Sequence, residues 1–329
     1  MRIKCFLLIF LIGSILFPII FSPKKRDIII KIREGDNLEV ISKNLKDSKI
    51  IQDRIGFNFL VILTKKSRSL SYGWYKFKIY ENPRNVIRSL LERRRLTVKI
   101  TIPEGLKASE IINIFWQHRE ELDIDVRRID SLIRDKNFIK ELGIEAKTLE
   151  GYLFPNTYFF YKGERAENVI KKMVFTLFSI IPKGEYFEVE KMKFNLHEIL
   201  TIASMIEKEA MVDREKPIIA SVIYNRLKKQ LPLQIDATVI YALGRHKNRV
   251  LYKDLKIESS YNTYQNKGLP PGPIANPGQK SIIAALYPAK TDYLYYVATG
   301  KGTHIFTRTY KEHLQVKKEL QERKEKPKS

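Results

Sequence analysis

Apolar and polar positions divide the chain into stretches of different period. A mostly apolar run from Cys5 to Phe21 opens it, with Arg2 and Lys4 before the run and Lys24, Lys25 and Arg26 after it. That length lies near the short end of what spans a bilayer. The run ends Ile20-Phe21-Ser22-Pro23, without the small residues of a cleavage site, so residues 1–26 read as an uncleaved membrane anchor. Charge on both flanks leaves the orientation open. The expected topology keeps the short N-terminal tail inside and translocates the long remainder.

Beyond the anchor the period changes twice. Asp27 to Arg33 alternates as a strand, Glu34-Gly35-Asp36 makes a turn, and Leu38 to Leu45 has helical spacing with Asp36 as its N-cap. The same order recurs in "VKITIPEGLKASEIINIFWQ", where Glu104-Gly105 matches Glu34-Gly35 and Ile111 matches Ile41. Between the copies lie an aromatic strand, Tyr72 to Tyr80, and a helix entered through Pro83. Together they predict a small α/β module with an internal repeat over residues 27–145. It is either a plain spacer or a glycan-binding unit.

From Leu149 the texture differs. Helices are expected over Ala166 to Ile181, Leu196 to Ala210 and Pro217 to Lys229. The segment from Asn266 to Ser281 carries four prolines and three glycines, which excludes helix and central strand and predicts an ordered loop. A hairpin follows, Tyr293 to Ala298 and His304 to Thr309 about a Gly-Lys-Gly turn. Residues 314–329 read as a basic, solvated tail. The expected fold class is therefore α+β: one N-terminal transmembrane helix, the α/β module, then a mixed catalytic domain over residues 149–313.

Composition narrows the chemistry. The chain has 329 residues, 44% of them hydrophobic, enough for a real core and at least two domains. Sixty Lys and Arg against 37 Asp and Glu give +23, which suits a polyanionic partner or surrounding. The charge is dispersed, with blocks only at Lys24–Arg26, Arg93–Arg95 and the tail, and this speaks against nucleic acid as the partner. Cys5 is the only cysteine, and the five histidines lack ligand spacing, so neither a disulfide nor a zinc site is expected. Nucleotide-binding, HExxH and GxSxG motifs are absent, and no cofactor is expected.

The candidate chemistry is carboxylic. On a helix, "NLHEILTIASMIEKEA" places Glu207 and Glu209 on opposite apolar flanks, roughly 200° apart at 100° per residue. Both cannot address one substrate atom. Either could be a desolvated general acid for glycosidic cleavage, and either could be a salt-bridged structural residue. Helical spacing does not choose between them. Glu150, Asp213 and Asp236 are loose candidates for a second carboxyl. A reaction in which a substrate hydroxyl attacks the anomeric carbon needs only one. Glu150 and Asn156 sit in the aromatic string "LEGYLFPNTYFF", which is either core strand or the wall of a sugar cleft.

The strings "LEGYLFPNTY", "ASMIEKEA", "SVIYNRL…LPLQIDATVIYALG" and "SYNTYQNKGLPPGPIANPGQKSIIAALYPAKTDYLYYVATGKGTHIFTRTYKEH" resemble the bacterial endolytic murein transglycosylase family over residues 149–313. The anchor and the EG-turn module fit its layout of one membrane helix and a LysM-like subdomain. The resemblance implies a lytic transglycosylase, without cofactor or metal, at the bacterial inner membrane with its bulk outside the cytoplasm. Such an enzyme cuts MurNAc-GlcNAc β-1,4 bonds within nascent strands, leaves 1,6-anhydro-MurNAc ends, terminates elongation and works beside membrane-bound peptidoglycan synthases. It implies Glu207, the first Glu of the EKE motif, as the catalytic acid and base. It implies Glu150, Tyr152, Asn225, Gln234, Asp236, Asn262, Tyr264, Asn276 and His304 as substrate-binding cleft residues. Asn156 departs from the family's usual Asp, and Ala237 from a frequent Pro. The alternative is a non-catalytic peptidoglycan-binding scaffold.

Overall fold

The computed structural model describes residues 26–184, 186–245, 247 and 250–325. The membrane anchor expected over residues 1–26 lies almost wholly outside them. Among the described residues no helix is long and apolar enough to cross a membrane. The longest, of 15 and 16 residues, rise roughly 22–24 Å at 1.5 Å per residue, short of a bilayer core. Both also carry charge along their length. The expectations of a transmembrane helix in the fold and of single-pass membrane localisation are corrected accordingly: what is seen is a mixed α and β fold.

Two compact units form, one from the chain up to Val98 with Phe160–Gly163, the other from Lys99–Phe159 with Glu164 onward. The first holds β1 (Asp27–Ile32), α1 (Leu38–Asp47), α2 (Arg54–Leu63), β2 (Gly73–Lys78) and α3 (Pro83–Leu91). β1 and β2 pair antiparallel, with Ile30 opposite Tyr75. Ile41, Leu45, Phe57, Tyr75 and Leu90 fill the core beneath them. Asn37, not Asp36, caps α1 by accepting from the Val40 N–H. Asp36 instead accepts from the Arg33 N–H at 2.8 Å and closes the turn.

β3 (Thr97–Thr101) leads into the second EG turn and α4 (Ala108–Gln117). The matched positions Ile41 and Ile111 are both buried. The second EG turn and α4 lie in the second unit, which takes up the chain at Lys99. The physical reason is backbone pairing: the Gly105 N–H donates to the Asn276 carbonyl at 2.9 Å, and the Asn276 N–H to the Leu106 carbonyl at 2.8 Å. The second EG turn is thereby tied to the proline-rich loop.

The second unit continues with α5 (Arg119–Leu122), α6 (Val126–Leu132), α7 (Lys136–Glu141), β4 (Thr157–Tyr161), α8 (Ala166–Ile180), β5 (Tyr186–Val189) and β6 (Met192–Asn195). Then come α9 (Leu196–Glu209), α10 (Lys216–Lys228), α11 (Asp236–Ala242), α12 (Gln279–Leu286), β7 (Tyr295–Ala298), β8 (His304–Thr307) and α13 (Tyr310–Glu325). The strands pair only in twos, β3 with β4, β5 with β6 and β7 with β8.

α9 is the central element. Its N-terminus is closed by a capping box, Asn195 with Glu198. Every residue from Ile199 to Ile206 is buried, so it is a core helix apolar nearly all round. Thr201 and Ser204, which spacing suggests as a polar stripe with His197 and Lys208, are satisfied inside. Thr201 donates to the His197 carbonyl, Ser204 donates to the Thr201 carbonyl, and Ser204 Oγ accepts from the Ile274 N–H at 3.0 Å. The proline-rich loop is ordered because it packs along this helix.

Candidate active site

The last turn of α9 leaves the core and delivers Glu207 and Glu209 to different places. Glu207 is met from all sides. Its Oε2 accepts from Ser281 Oγ at 2.6 Å and from the Gly278 N–H at 3.0 Å, with Lys216 Nζ at 3.5 Å. Only 10% of its side chain is exposed. This carboxylate anchors the start of α12 to α9. A Cβ at Gly278 would displace the carboxyl of Glu104, which lies about 2 Å from that position.

Glu209 lies instead in the wall of a cleft of about 790 Å³. Burial pushes its carboxyl above the usual range, and the nearby charge of Asp236 adds to the rise; the Tyr296 hydroxyl, His304 and the Ala237 N–H oppose it. Tyr296 Oη donates to Glu209 Oε2 at 3.1 Å. Behind Tyr296, the His304 ring stands edge-on at 5.3 Å between centroids. His304 in turn is held by Glu215, through its backbone N–H at 3.1 Å and its ring Nδ1 at 2.8 Å.

Glu150 faces the same cleft from the wall opposite in sequence. Its Oε1 accepts from the Ala108 N–H at 2.9 Å and from Asn276 Nδ2 at 3.1 Å, and Tyr241 Oη lies 3.4 Å from Oε2. Burial raises this carboxyl to about 7 against those bonds. The chain reaches this position through Gly151, at φ +85°, where a Cβ would strike Pro273. Asp236, the first residue of α11 and also in the cleft wall, accepts from Tyr264 Oη at 2.5 Å.

The other expected site residues build the frame. Asn276 is fully buried and satisfied: besides Glu150, its Nδ2 donates to the Leu106 carbonyl and its Oδ1 accepts from the Leu153 N–H, both at 2.9 Å. Asn262 donates to the Leu255 and Ile257 carbonyls and organises the loop that presents Tyr264. Asn225 donates to the Thr291 and Tyr293 carbonyls ahead of β7. Gln234, at φ +54°, accepts from Arg226. Tyr152 is buried at the far end of α9, its hydroxyl 3.1 Å from His197 Nδ1. His197 Nε2 faces the Pro271 carbonyl at 3.0 Å, so that nitrogen carries the proton and Tyr152 donates to Nδ1.

Thus Glu150, Glu209 and Asp236 line the cleft, Asn276 bonds to Glu150 in its wall, and Glu207, Tyr152 and Asn225 bond within the surrounding fold. Sequence reasoning missed Tyr296 and Glu215, which reach the site from elements distant along the chain, and Lys107, Arg134, Tyr241 and Arg245, which line the cleft. Only Lys107 had a signal, its place at the start of the helix after the second EG turn. Among the described residues no group of His, Cys, Asp and Glu is arranged to hold a metal ion.

Two of the carboxyls in the cleft wall, Glu150 and Glu209, are pushed up by burial, as suits acid–base chemistry. The chain belongs to the YceG-like family, whose model matches residues 30–319. It is 37% identical over 324 residues to a Bacillus subtilis protein named endolytic murein transglycosylase, covering 94% of this chain and 89% of that one. It is 27% identical to a protein of the same name from Streptococcus pneumoniae, covering 91% of this chain and 59% of the longer relative. The crystal structure of a yceG-like protein from Listeria monocytogenes superposes with a TM-score of 0.57 at 36% identity, covering 89% of this chain and all of that one.

Proposed function

We propose that this protein is an endolytic murein transglycosylase in which Glu209 is the acid and then the base. The single observation that carries the choice of glutamate is the contrast in surroundings: Glu209 faces an open cleft with its carboxyl pushed up by burial, while Glu207 is spent on Ser281, Gly278 and Lys216. The name shared by the relatives supports the reaction class. In this reading the protonated Glu209 gives its proton to the glycosidic oxygen as the muramyl C1–O bond breaks. The resulting carboxylate takes the proton of the muramyl C6 hydroxyl as that oxygen attacks C1. The carboxyl ends as it began, no water is consumed, and a 1,6-anhydro end forms. Asp236, in the same cleft, opposes early loss of the Glu209 proton. Tyr296 sets how readily the proton leaves. A peptidoglycan synthase is the class of enzyme that supplies such strands.

The test is mass analysis of products released from purified sacculi by the whole protein and by Glu209→Gln. Anhydro-ended fragments from the wild type and none from the variant are expected. Full activity in Glu209→Gln would overturn the assignment. Products heavier by one water would make the enzyme a hydrolase using the same carboxyl.

A further inference from the structure

The mechanism above uses the carboxyls of the cleft and leaves its cations without a role. Lys107, Arg134, Lys208 and Arg245 all line it. Among the described residues no ion pair engages Lys107, Lys208 or Arg245, and Arg134 meets Asp130 at 2.7 Å. The Lys107 ammonium lies over the Tyr241 ring, 5.4 Å from its centroid, and Lys208 Nζ touches only the Gly105 carbonyl, at 3.2 Å. The four carboxyls of the lining have partners other than these cations. Glu110 accepts from the Lys107 backbone N–H at 2.7 Å, and Asp236 is engaged by Tyr264. Glu150 and Glu209 are both shifted toward their neutral forms by burial. Four cationic side chains thus line the cleft of an acid that must work on a polymer whose sugar rings are uncharged.

Resting on the proposed activity, we infer that Lys107, Arg134 and Arg245 form a subsite for carboxylates pendant on the muramyl residues of the strand. Two sources share this chemistry: the carboxylates of the stem peptide, and the lactyl carboxylate left when the peptide is removed. Guanidinium and ammonium groups at a cleft rim discriminate a carboxylate from its amide, because only the anion forms charge-assisted hydrogen bonds.

Three strands of equal length separate the possibilities: peptide-bearing with free carboxylates, peptide-bearing with those carboxylates amidated, and peptide-free. KM is measured for the wild type and for Lys107→Met/Arg245→Met, whose thermal melt is compared with the wild type. Binding is measured in parallel by fluorescence anisotropy with the full-length Glu209→Gln protein, so that recognition is read without cleavage. The wild type should favour free carboxylates over amides by about tenfold or more, and the double variant should bring that ratio near one. Equal preference for peptide-free strands would assign the subsite to the lactyl group. Carboxylate-dependent binding without any cleavage would uphold the subsite and reject the enzymatic reading. Cleavage with equal KM for free and amidated strands, or a ratio unchanged in the double variant, would overturn the subsite and leave the activity standing.

Discussion

Glu207 and Glu209 are two residues apart on one helix and occupy opposite worlds: Glu207 Oε2 accepts at 2.6 Å from Ser281 inside the fold, and Glu209 Oε2 accepts at 3.1 Å from Tyr296 at the cleft. Two steps along an α-helix carry a side chain more than half-way round the axis. One residue can then fasten α9 to α12 while the other meets substrate. The two glutamates should therefore fail in different ways when altered.

Glu209→Gln should fold with a melting temperature near the wild type and lose about 10²–10⁴-fold in turnover, the usual worth of a general acid–base group. Glu207→Ala should do the reverse. It strands the Gly278 N–H and Ser281, at roughly 1–3 kcal/mol each, and leaves the buried Lys216 with Asp213 as its remaining carboxylate. Thermal melts and single-turnover rates on the same preparations separate the two.

Tyr296→Phe removes a hydrogen bond that favours the ionised form of Glu209. The Glu209 carboxyl should rise further, and the alkaline limb of the pH–rate profile, where the acid loses its proton, should move to higher pH. A profile unchanged in position would show that the hydroxyl does not act on this carboxyl.

Glu150 carries a stability signature. Its carboxyl is raised from 4.5 to about 7 in the fold, so the folded state holds a proton that the unfolded chain has released. That contribution is fully present below pH 4.5 and is lost as pH rises through about 7. Glu150→Gln imitates the protonated form. It should match the wild type in urea denaturation at low pH and exceed it above pH 7, with the difference growing through neutrality.

Asn276→Ala should be the most damaging change in the frame. It strands the Leu153 N–H, at roughly 1–3 kcal/mol, and removes one of the bonds to Glu150 and to the Leu106 carbonyl, which keep the Ala108 N–H and the residue 276 N–H. Loss of soluble folded protein, or a large fall in urea midpoint, is the expected result. Asn276→Asp, which can still accept from the Leu153 N–H, should keep part of that stability in acid.

Much of the architecture was legible because it depends on local periodicity and local stereochemistry. The helices α8, α9 and α10, the β7–β8 hairpin and the EG-turn repeat all follow from spacing of apolar residues and from glycine and proline. The proline-rich loop could be recognised as non-helical for the same reason. What periodicity could not supply was partnership. A helical wheel separates Glu207 from Glu209 but does not say which side faces Ser281 and which faces solvent. Resemblance implies the first glutamate; we propose the second from its place in the cleft wall.

By itself, then, the amino-acid order determined most of the elements and turns, the family and the presence of candidate carboxyls on one buried helix. Only the tertiary structure decided that the second EG turn is stitched to Asn276, that Tyr296 and Glu215 stand behind Glu209, and that Lys107, Arg134 and Arg245 share its cleft. Those relations join residues far apart along the chain. They are created by burial and hydrogen bonding after the elements pack, and no local pattern encodes them.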